Sequence, residues 1–162
     1  MKISIITITY NSEKTLEDTI QSVARQNYKD LEYIIVDGGS KDATLDIVKK
    51  YSNIVTKWIS EPDKGISDAF NKGVKIASGE LIGIINSDDM LTDNSLNIIA
   101  KNIKPETDVI YGNAIMFGGR ETNYRCKPAD SLEVMRKRMA VVHPATFVKK
   151  SAYDRYGDRK ST

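Results

Sequence analysis

The sequence predicts an α/β protein, a three-layer α/β/α sandwich built on a mostly parallel central sheet. Three observations carry that expectation. Apolar, β-branched runs of strand length alternate with segments whose apolar residues recur at the helical period, the pattern of a parallel sheet with helices on both faces. The first, second and fourth of these runs end in polar, turn-forming residues. The chain of 162 residues, 40% hydrophobic and 28% charged, is ordinary for a soluble globular domain and long enough to bury a sizeable core.

The elements follow in order. Lys2 to Thr9 reads as the first strand, and Tyr10-Asn11-Ser12 follows with Asn11 or Ser12 placed to cap a helix. That helix carries Leu16, Ile20, Val23 and Ala24 on one face. Leu31 to Val36 is the second strand, ending in Asp37-Gly38-Gly39-Ser40, where two glycines permit a tight turn. Leu45, Ile47, Val48 and Tyr51 give the next helix its buried side, and Ile54 to Ile59 is the third strand. Glu61-Pro62-Asp63-Lys64-Gly65 is a turn by composition. It opens a helix with Ile66, Ala69, Phe70, Gly73, Val74 and Ala77 inward and Gly79 as its glycine stop. Leu81 to Ile85 is the fourth strand, and Leu96, Ile99, Ala100 and Ile103 mark another helix face. Asp108 to Tyr111 and Ala114 to Phe117 read as short strands, and after Gly118-Gly119 the pattern weakens.

Composition excludes several classes of chemistry. A single cysteine, Cys126, rules out an internal disulfide and a cysteine-based zinc site, and points to a reducing, cytoplasmic setting. A single histidine, His143, rules out multi-histidine metal centres. No apolar run approaches the roughly 20 residues of a membrane span. The N-terminus reads as a strand and not a leader, because Thr7 and Thr9 interrupt its apolar stretch. Charge is uneven: residues 1–119 carry 13 Lys+Arg against 17 Asp+Glu, whereas residues 120–162 carry 11 against 5. A basic C-terminal third suits an anionic partner such as phosphate, a lipid headgroup or nucleic acid, and a solvated face is the plainer reading of a cluster such as Arg136-Lys137-Arg138. Neither a Gly-x-Gly-x-x-Gly nor a Walker lysine motif is present, so no dinucleotide cofactor or P-loop is expected.

The chemistry concentrates at the strand ends. In parallel α/β sheets, ligands bind outside the C-terminal ends of the strands. That rule gathers Thr9-Tyr10-Asn11, Asp37-Gly38-Gly39-Ser40, Asn86-Ser87-Asp88-Asp89 and the Glu61-to-Lys64 loop on one edge. Adjacent carboxylates at the end of a buried strand repel each other and are costly to desolvate. A hard divalent cation offsets that cost and still accepts phosphate oxygens. The plainer reading is turn chemistry, with Asp88 or Asp89 capping the helix that follows.

In their order and spacing these segments resemble glycosyltransferase family 2 over residues 1–118. The resemblance rests on Ser4 to Asn11, on Ile35-Val36-Asp37-Gly38-Gly39-Ser40-Lys41-Asp42, on Glu61 through Gly73, and on Ser78-Gly79-Glu80. Asn86-Ser87-Asp88-Asp89 matches the family's metal motif, and His143-Pro144-Ala145-Thr146-Phe147 is similar to a later segment. The resemblance implies a GT-A fold, a nucleotide-sugar donor, Mg²⁺ or Mn²⁺, and a glycan or lipid-linked acceptor. Nucleic acid is not an expected partner. It implies that Tyr10 stacks on the base with Thr9 and Asn11 beside it, and that Asp37 contacts base or ribose, with helix capping as the alternative for Asp37. Lys64, Asp68 and Asn71 would contact donor sugar or diphosphate, Asp88 the ribose, and Asp89 the metal. Lys72 and Lys75 are expected to be solvated, and His143 to be a structural hydrogen-bonding residue in preference to an acceptor contact. The sequence departs from the family pattern at Gly38, where a second aspartate is usual, and at Asn86, where a first aspartate is frequent.

Members of such a family invert the anomeric centre in one displacement, with a carboxylate base on the acceptor hydroxyl. That base commonly lies downstream of the segment resembling Tyr153-Asp154-Arg155-Tyr156-Gly157. The chain ends at Thr162 without a match to its motif, and neither Asp154 nor Asp158 is marked as the base by spacing. The expectation is a shortened enzyme: residues 1–118 form the donor-binding core, and residues 119–162 an incomplete acceptor-side extension of the same domain. A donor-binding module without turnover is the main alternative, and a nucleotidyltransferase the weaker one. The basic tail would allow peripheral contact with an anionic membrane.

Overall fold

The computed structural model describes residues 1–117, 124–128, 133–134 and 141–157. Gly118-Gly119, the Arg136-Lys137-Arg138 cluster and the tail from Asp158 lie outside the described residues. Strands β1 (Ile3–Thr9), β2 (Leu31–Asp37), β3 (Lys57–Ser60) and β4 (Leu81–Asn86) alternate with helices α1 (Leu16–Ala24), α2 (Thr44–Lys50) and α3 (Ile66–Ile76). Helix α4 (Ser95–Asn102) follows, then β5 (Val109–Tyr111), β6 (Ala114–Met116) and β7 (Tyr124–Cys126). A 3₁₀ turn, His143–Ala145, leads into β8 (Thr146–Lys149) and α5 (Lys150–Tyr156).

Six strands form the main sheet in the order β3-β2-β1-β4-β8-β5, and β6 and β7 pair separately. The first four run parallel, and β8 inserts antiparallel between β4 and β5. The sheet is therefore mostly parallel, as the alternating pattern predicts.

Period-2 alternation along each central strand serves two cores. Ile3, Ile5, Tyr33, Ile35, Leu81 and Ile85 pack with Leu16, Ile20, Val23, Val48 and Leu96 of α1, α2 and α4. Ile6, Ile34, Val36, Ile82 and Ile84 pack with Ala69, Phe70 and Val74 of α3. A strand apolar on both faces needs helices on both, which gives three layers. Phe147 on β8 lies over Gly83 on β4, where any Cβ would collide with its ring.

Three local expectations shift. The third strand covers Lys57–Ser60 only, because Ile54 and Val55 pack into the core from the turn after α2. Gly79 is not the stop of α3, which ends at Ile76 with Ala77 extended. Its missing side chain instead allows close approach: a Cβ would stand 2.6 Å from the Ser4 amide nitrogen. The helix after Tyr10 starts at Leu16, and the Ser12 carbonyl, not a side chain of Asn11 or Ser12, accepts its first amides from Thr15 and Leu16 at 3.1 and 3.0 Å.

The N-terminal edge of the sheet is pinned by Glu32, whose side chain is 1% exposed. It accepts from Ser4 Oγ at 2.5 Å, from the Ser78 amide at 2.7 Å and Ser78 Oγ at 2.8 Å, and pairs with Lys57 Nζ at 2.8 Å. Burial alone raises the carboxyl pKa, but Lys57 and the hydroxyl and amide donors reverse that and hold it at about 2. A lowered folded-state pKa means that the unfolded chain binds the extra proton, so this stabilisation is complete above the ordinary value of 4.5 and is lost as pH falls towards about 2. Glu32→Gln should cost roughly 2 kcal/mol at pH 7 by urea unfolding. The deficit should shrink between pH 4.5 and 2 as the wild-type carboxylate protonates. A constant deficit across that window would contradict the charge pin.

Candidate functional site

The parallel register brings the ends of β1, β2, β3 and β4 together on one edge, with Thr9 opposite Asp37, Asp37 opposite Ser60, and Ile8 opposite Asn86. Loops leaving these strands must satisfy their own backbone groups, since no further ladder does so. Asp37 does much of this work. It is 0% exposed, and one of its carboxylate oxygens accepts from the amides of Gly39 and Ser40 at 3.0 Å each and from Ser60 Oγ at 2.6 Å. The other accepts from Ser40 Oγ. The alternative of Asp37 as a helix cap is corrected here: Asp42 closes the start of α2 instead, accepting from the Thr44 amide at 3.0 Å.

The β1 and β2 loops are then laced together. The Asn11 amide donates to Ser40 Oγ, and Asn11 Oδ1 accepts the Lys41 amide, both at 2.8 Å. The Ser12 amide donates to Thr44 Oγ1 at 2.8 Å, the Glu13 amide to Asp42 at 3.1 Å, and Glu13 accepts the Ala43 amide at 3.0 Å. Asn11 adopts φ 49°, a left-handed conformation that asparagine tolerates. This lacing leaves Tyr10 projecting, 61% exposed, as an aromatic face beside the cleft. The Thr9 hydroxyl is buried with no hydrogen-bond partner among the described residues.

The β4 loop joins through Ser12 Oγ and Ser87 Oγ, 2.8 Å apart. Together these segments line an open cleft of about 450 Å³, with Asn11, Ser12, Thr15, Asp42, Ser87 and Asp88 among its walls. Asp88 is exposed there and makes no hydrogen bond or ion pair among the described residues. Asp89 is half-buried, and its Oδ2 accepts from Asn86 Nδ2 at 2.9 Å and the Asn86 amide at 3.3 Å. Burial raises the Asp89 pKa, the two Asn86 donors oppose that, and the Asp88 charge adds to the rise. The Asp89 carbonyl is tied to Thr19 Oγ1 of α1 at 2.8 Å.

A divalent cation fits this chemistry in part. Two adjacent carboxylates are available, one of them facing the cleft without a partner, and the described residues contain no group of three or more His, Cys, Asp or Glu side chains that could enclose an ion. Such a pair suits an ion that completes its oxygen shell from a diphosphate.

The β3–α3 loop leaves the same edge of the sheet, after Ser60 of β3. Asp68 accepts the Lys64 amide at 2.9 Å, which with Lys72 holds its pKa below the ordinary range. Lys72 is not solvated as expected: it is 20% exposed, pairs with Glu61 at 3.0 Å and Asp68 at 3.4 Å, and donates to the Pro62 carbonyl at 2.9 Å. Lys75 and the Lys64 side chain are exposed. Asn71 follows Asp68 by three residues on α3, and His143 packs its ring 5.1 Å from Phe70 of the same helix. Asp154 lies on α5, which starts beside Glu80 at the opposite edge of the sheet, and its neighbour Arg155 pairs there with Asp108 at 3.4 Å. Sequence reasoning passed over Asp42, Ser60 and Asp63, short polar side chains whose loop bonds have no sequence period to reveal them.

A parallel sheet with laced loops, an exposed aromatic and paired carboxylates at its strand ends defines a GT-A-type fold, and solved structures share it. S. aureus TarS 1-349 in complex with UDP matches with a TM-score of 0.80 and 27% identity, covering 96% of this chain and 49% of that one. At 19% identity, the mannosyltransferase PcManGT from Pyrobaculum calidifontis, in complex with GDP-Man and Mn²⁺, matches in fold with a TM-score of 0.75 over 98% of this chain and 47% of that one. The profile described as Glycosyl transferase family 2 matches residues 4–155, and the chain belongs to that family. A PGL/p-HBAD biosynthesis glycosyltransferase of Mycobacterium bovis is 34% identical over 160 residues, covering 95% of this chain and 61% of the relative. Glycosyltransferase GlyG of Streptococcus pneumoniae is 29% identical over 126 residues, covering 75% of this chain and 42% of that protein. The chain thus spans less than two thirds of the length of these relatives.

Asp37 tests the loop architecture directly. Asp37→Ala would leave the donors of Gly39, Ser40 and Ser60 without their buried acceptor. A loss of about 3 kcal/mol in urea unfolding is expected. A loss below about 1 kcal/mol, the level of an ordinary surface change, would show that the loop closes without it.

Proposed function

We propose that this chain binds a nucleotide-diphosphate-sugar donor at the C-terminal edge of its sheet and transfers the sugar to a glycan or lipid-linked acceptor. The carrying observation is the partnerless Asp88 on the cleft wall, beside the exposed face of Tyr10 on the same sheet edge. The complexes of TarS with UDP and with UDP-GlcNAc, at 27% and 26% identity, support the same class of ligand here.

In this reading Tyr10 stacks on the base, which asks little of base identity. Thr9 and Asn11 border it, and Asp37 acts from beneath by holding the loop. Lys64 from the loop before α3, and Asp68 and Asn71 from α3, face the diphosphate and sugar, Asp88 takes the ribose hydroxyls, and Asp89 is the metal ligand. One observation favours exchanging the last two roles: Asp88 has both oxygens clear, whereas one oxygen of Asp89 is occupied by Asn86. When bound, Mg²⁺ or Mn²⁺ would supply Lewis-acid stabilisation of the departing diphosphate. In an inverting displacement, the acceptor oxygen bonds to the anomeric carbon as the bond to the diphosphate oxygen breaks, and a base takes the hydroxyl proton. Asp154, at the far edge, is not proposed as that base. A donor-binding module without turnover is the second reading, favoured by that placement. The basic C-terminal third is proposed to hold the chain near anionic lipid or a lipid-diphosphate acceptor.

Two measurements test this. Asp88→Asn and Asp89→Asn should each retain the wild-type fold, and the variant lacking the metal ligand should lose the Mn²⁺-dependent thermal shift given by a nucleoside diphosphate, normally about 3 kcal/mol at a hundredfold excess over Kd. Full Mn²⁺-dependent shifts in both variants would remove the metal role from this pair. Slow Mn²⁺-dependent hydrolysis of a nucleotide sugar is expected of an enzyme, and binding with no hydrolysis would favour the module.

A further inference from the structure

We propose that Asp63 reads the hydrogen-bonding edge of the donor's base, from the space that Gly38 leaves beside Tyr10. The inference rests on the donor reading above and deepens it. Gly38 follows the buried anchor Asp37, and a Cβ added there would stand 2.6 Å from Asp63 Oδ2 and 3.4 Å from Tyr10 Cδ2. The carboxylate of the β3–α3 loop therefore occupies the position a side chain at 38 would take, against the edge of the aromatic ring. The contact between these two loops exists because residue 38 has no side chain.

Asp63 is held in that position. Its Oδ1 accepts the Gly65 amide at 2.9 Å, and the preceding Pro62 carbonyl is bound by Lys72, itself paired with Glu61 and Asp68. Oδ2 makes no hydrogen bond or ion pair among the described residues. An anionic acceptor without a partner thus sits at the rim of an exposed aromatic face. A base lying on that face turns its polar edge toward the rim.

The chemistry selects among bases. An ionised carboxylate only accepts hydrogen bonds. Uracil, thymine and guanine carry a ring N–H on that edge and satisfy it. Adenine and cytosine carry a lone pair on the corresponding ring nitrogen, which repels the carboxylate and offsets the hydrogen bond their exocyclic amine can donate. A site built to receive the ring N–H therefore discriminates against bases that present a lone pair at that position. Asp63 is accordingly a specificity-determining residue for donors with a ring N–H.

Calorimetric titration of the full chain in Mn²⁺ with UDP, TDP, GDP, ADP, CDP and inorganic pyrophosphate tests this. Wild type should bind at least one of UDP, TDP and GDP on the order of tenfold or more tightly than ADP and CDP, the difference made by one charged hydrogen bond. Asp63→Ala should abolish that preference with pyrophosphate affinity unchanged, and Asp63→Asn should weaken it. Gly38→Asp combined with Asp63→Ala should restore it, by supplying the carboxylate from the residue after β2 in place of the β3–α3 loop. A preference for ADP or CDP, equal affinity for all five nucleotides, or a preference that survives Asp63→Ala would overturn the inference and leave the donor reading standing. No binding of any nucleotide or of pyrophosphate would overturn the donor reading, and this inference with it.

Discussion

Strand β2 carries a buried carboxylate near each end, and the placement of the connections around it depends on how those charges are satisfied. Glu32 and Asp37 have 1% and 0% relative exposure, in a sheet whose remaining interior is largely aliphatic. Unpaired, either charge would be prohibitive there. Each is satisfied differently. Glu32 draws on the ammonium of Lys57 together with Ser4 and Ser78, which binds β1, β2, β3 and the α3–β4 connection into one edge. Asp37 uses neutral donors alone, and those donors are the loop that follows it and Ser60 of β3. The first arrangement stabilises the sheet, and the second shapes the loop at the C-terminal end of β2.

That difference has a functional consequence. A turn closed on a buried anchor has few alternative conformations, so the residues laced to it inherit its rigidity. Asn11, Ser12 and Glu13 bond reciprocally to residues 40–44, and Ser12 passes the constraint to Ser87 beside Asp88. Tyr10 and Asp88 are thereby presented in fixed relation from strands β1 and β4 while they themselves stay accessible. Binding a flexible ligand to a surface already ordered avoids much of the ordering cost that would otherwise reduce affinity.

The fold was legible because its signals are periodic. Ile3, Ile5, Ile6 and their counterparts on β2 and β4 alternate on strands buried on both faces, and Leu16, Ile20 and Val23 repeat at the helical period. The convergence of Thr9, Asp37 and Asn86 followed from parallel register alone. What stayed hidden has no period. Lys72 read as solvated because two of its partners, Glu61 and Pro62, belong to a loop whose path only tertiary contact settles, although the third, Asp68, is its i,i+4 neighbour on α3. Gly79 read as a stop because the close approach of Ser4 comes from a strand 75 residues away in sequence. Between these extremes lies Asp37, singled out by its place at the end of β2, three of whose four donors depend on a loop conformation that Gly39 adopts at φ 86°. Asp154 could not be placed from sequence, because the antiparallel insertion of β8 sends α5 to the far edge.

The charge of the cleft links the donor reading to the choice of counterion. Of the residues lining it, Glu13, Asp42 and Asp88 are acidic, and Lys14 alone is basic. Glu13 and Asp42 are committed to backbone amides, so their charge is partly met within the loops. Asp88 is met by nothing among the described residues, and its neighbour Asp89 is disfavoured as an anion by burial and by Asp88 itself. An anionic diphosphate entering such a cleft alone would be repelled. A divalent ion held by Asp88 or Asp89 would reverse the sign by supplying the positive charge that a diphosphate needs. Asn86 refines this balance. In the proposed donor reading, a third carboxylate there would increase affinity for the bare ion, whereas the amide donates to Asp89 and would leave ion binding coupled to arrival of the diphosphate. Ion and donor are then expected to bind as a unit, a consequence of replacing one negative charge by a hydrogen-bond donor at the end of β4.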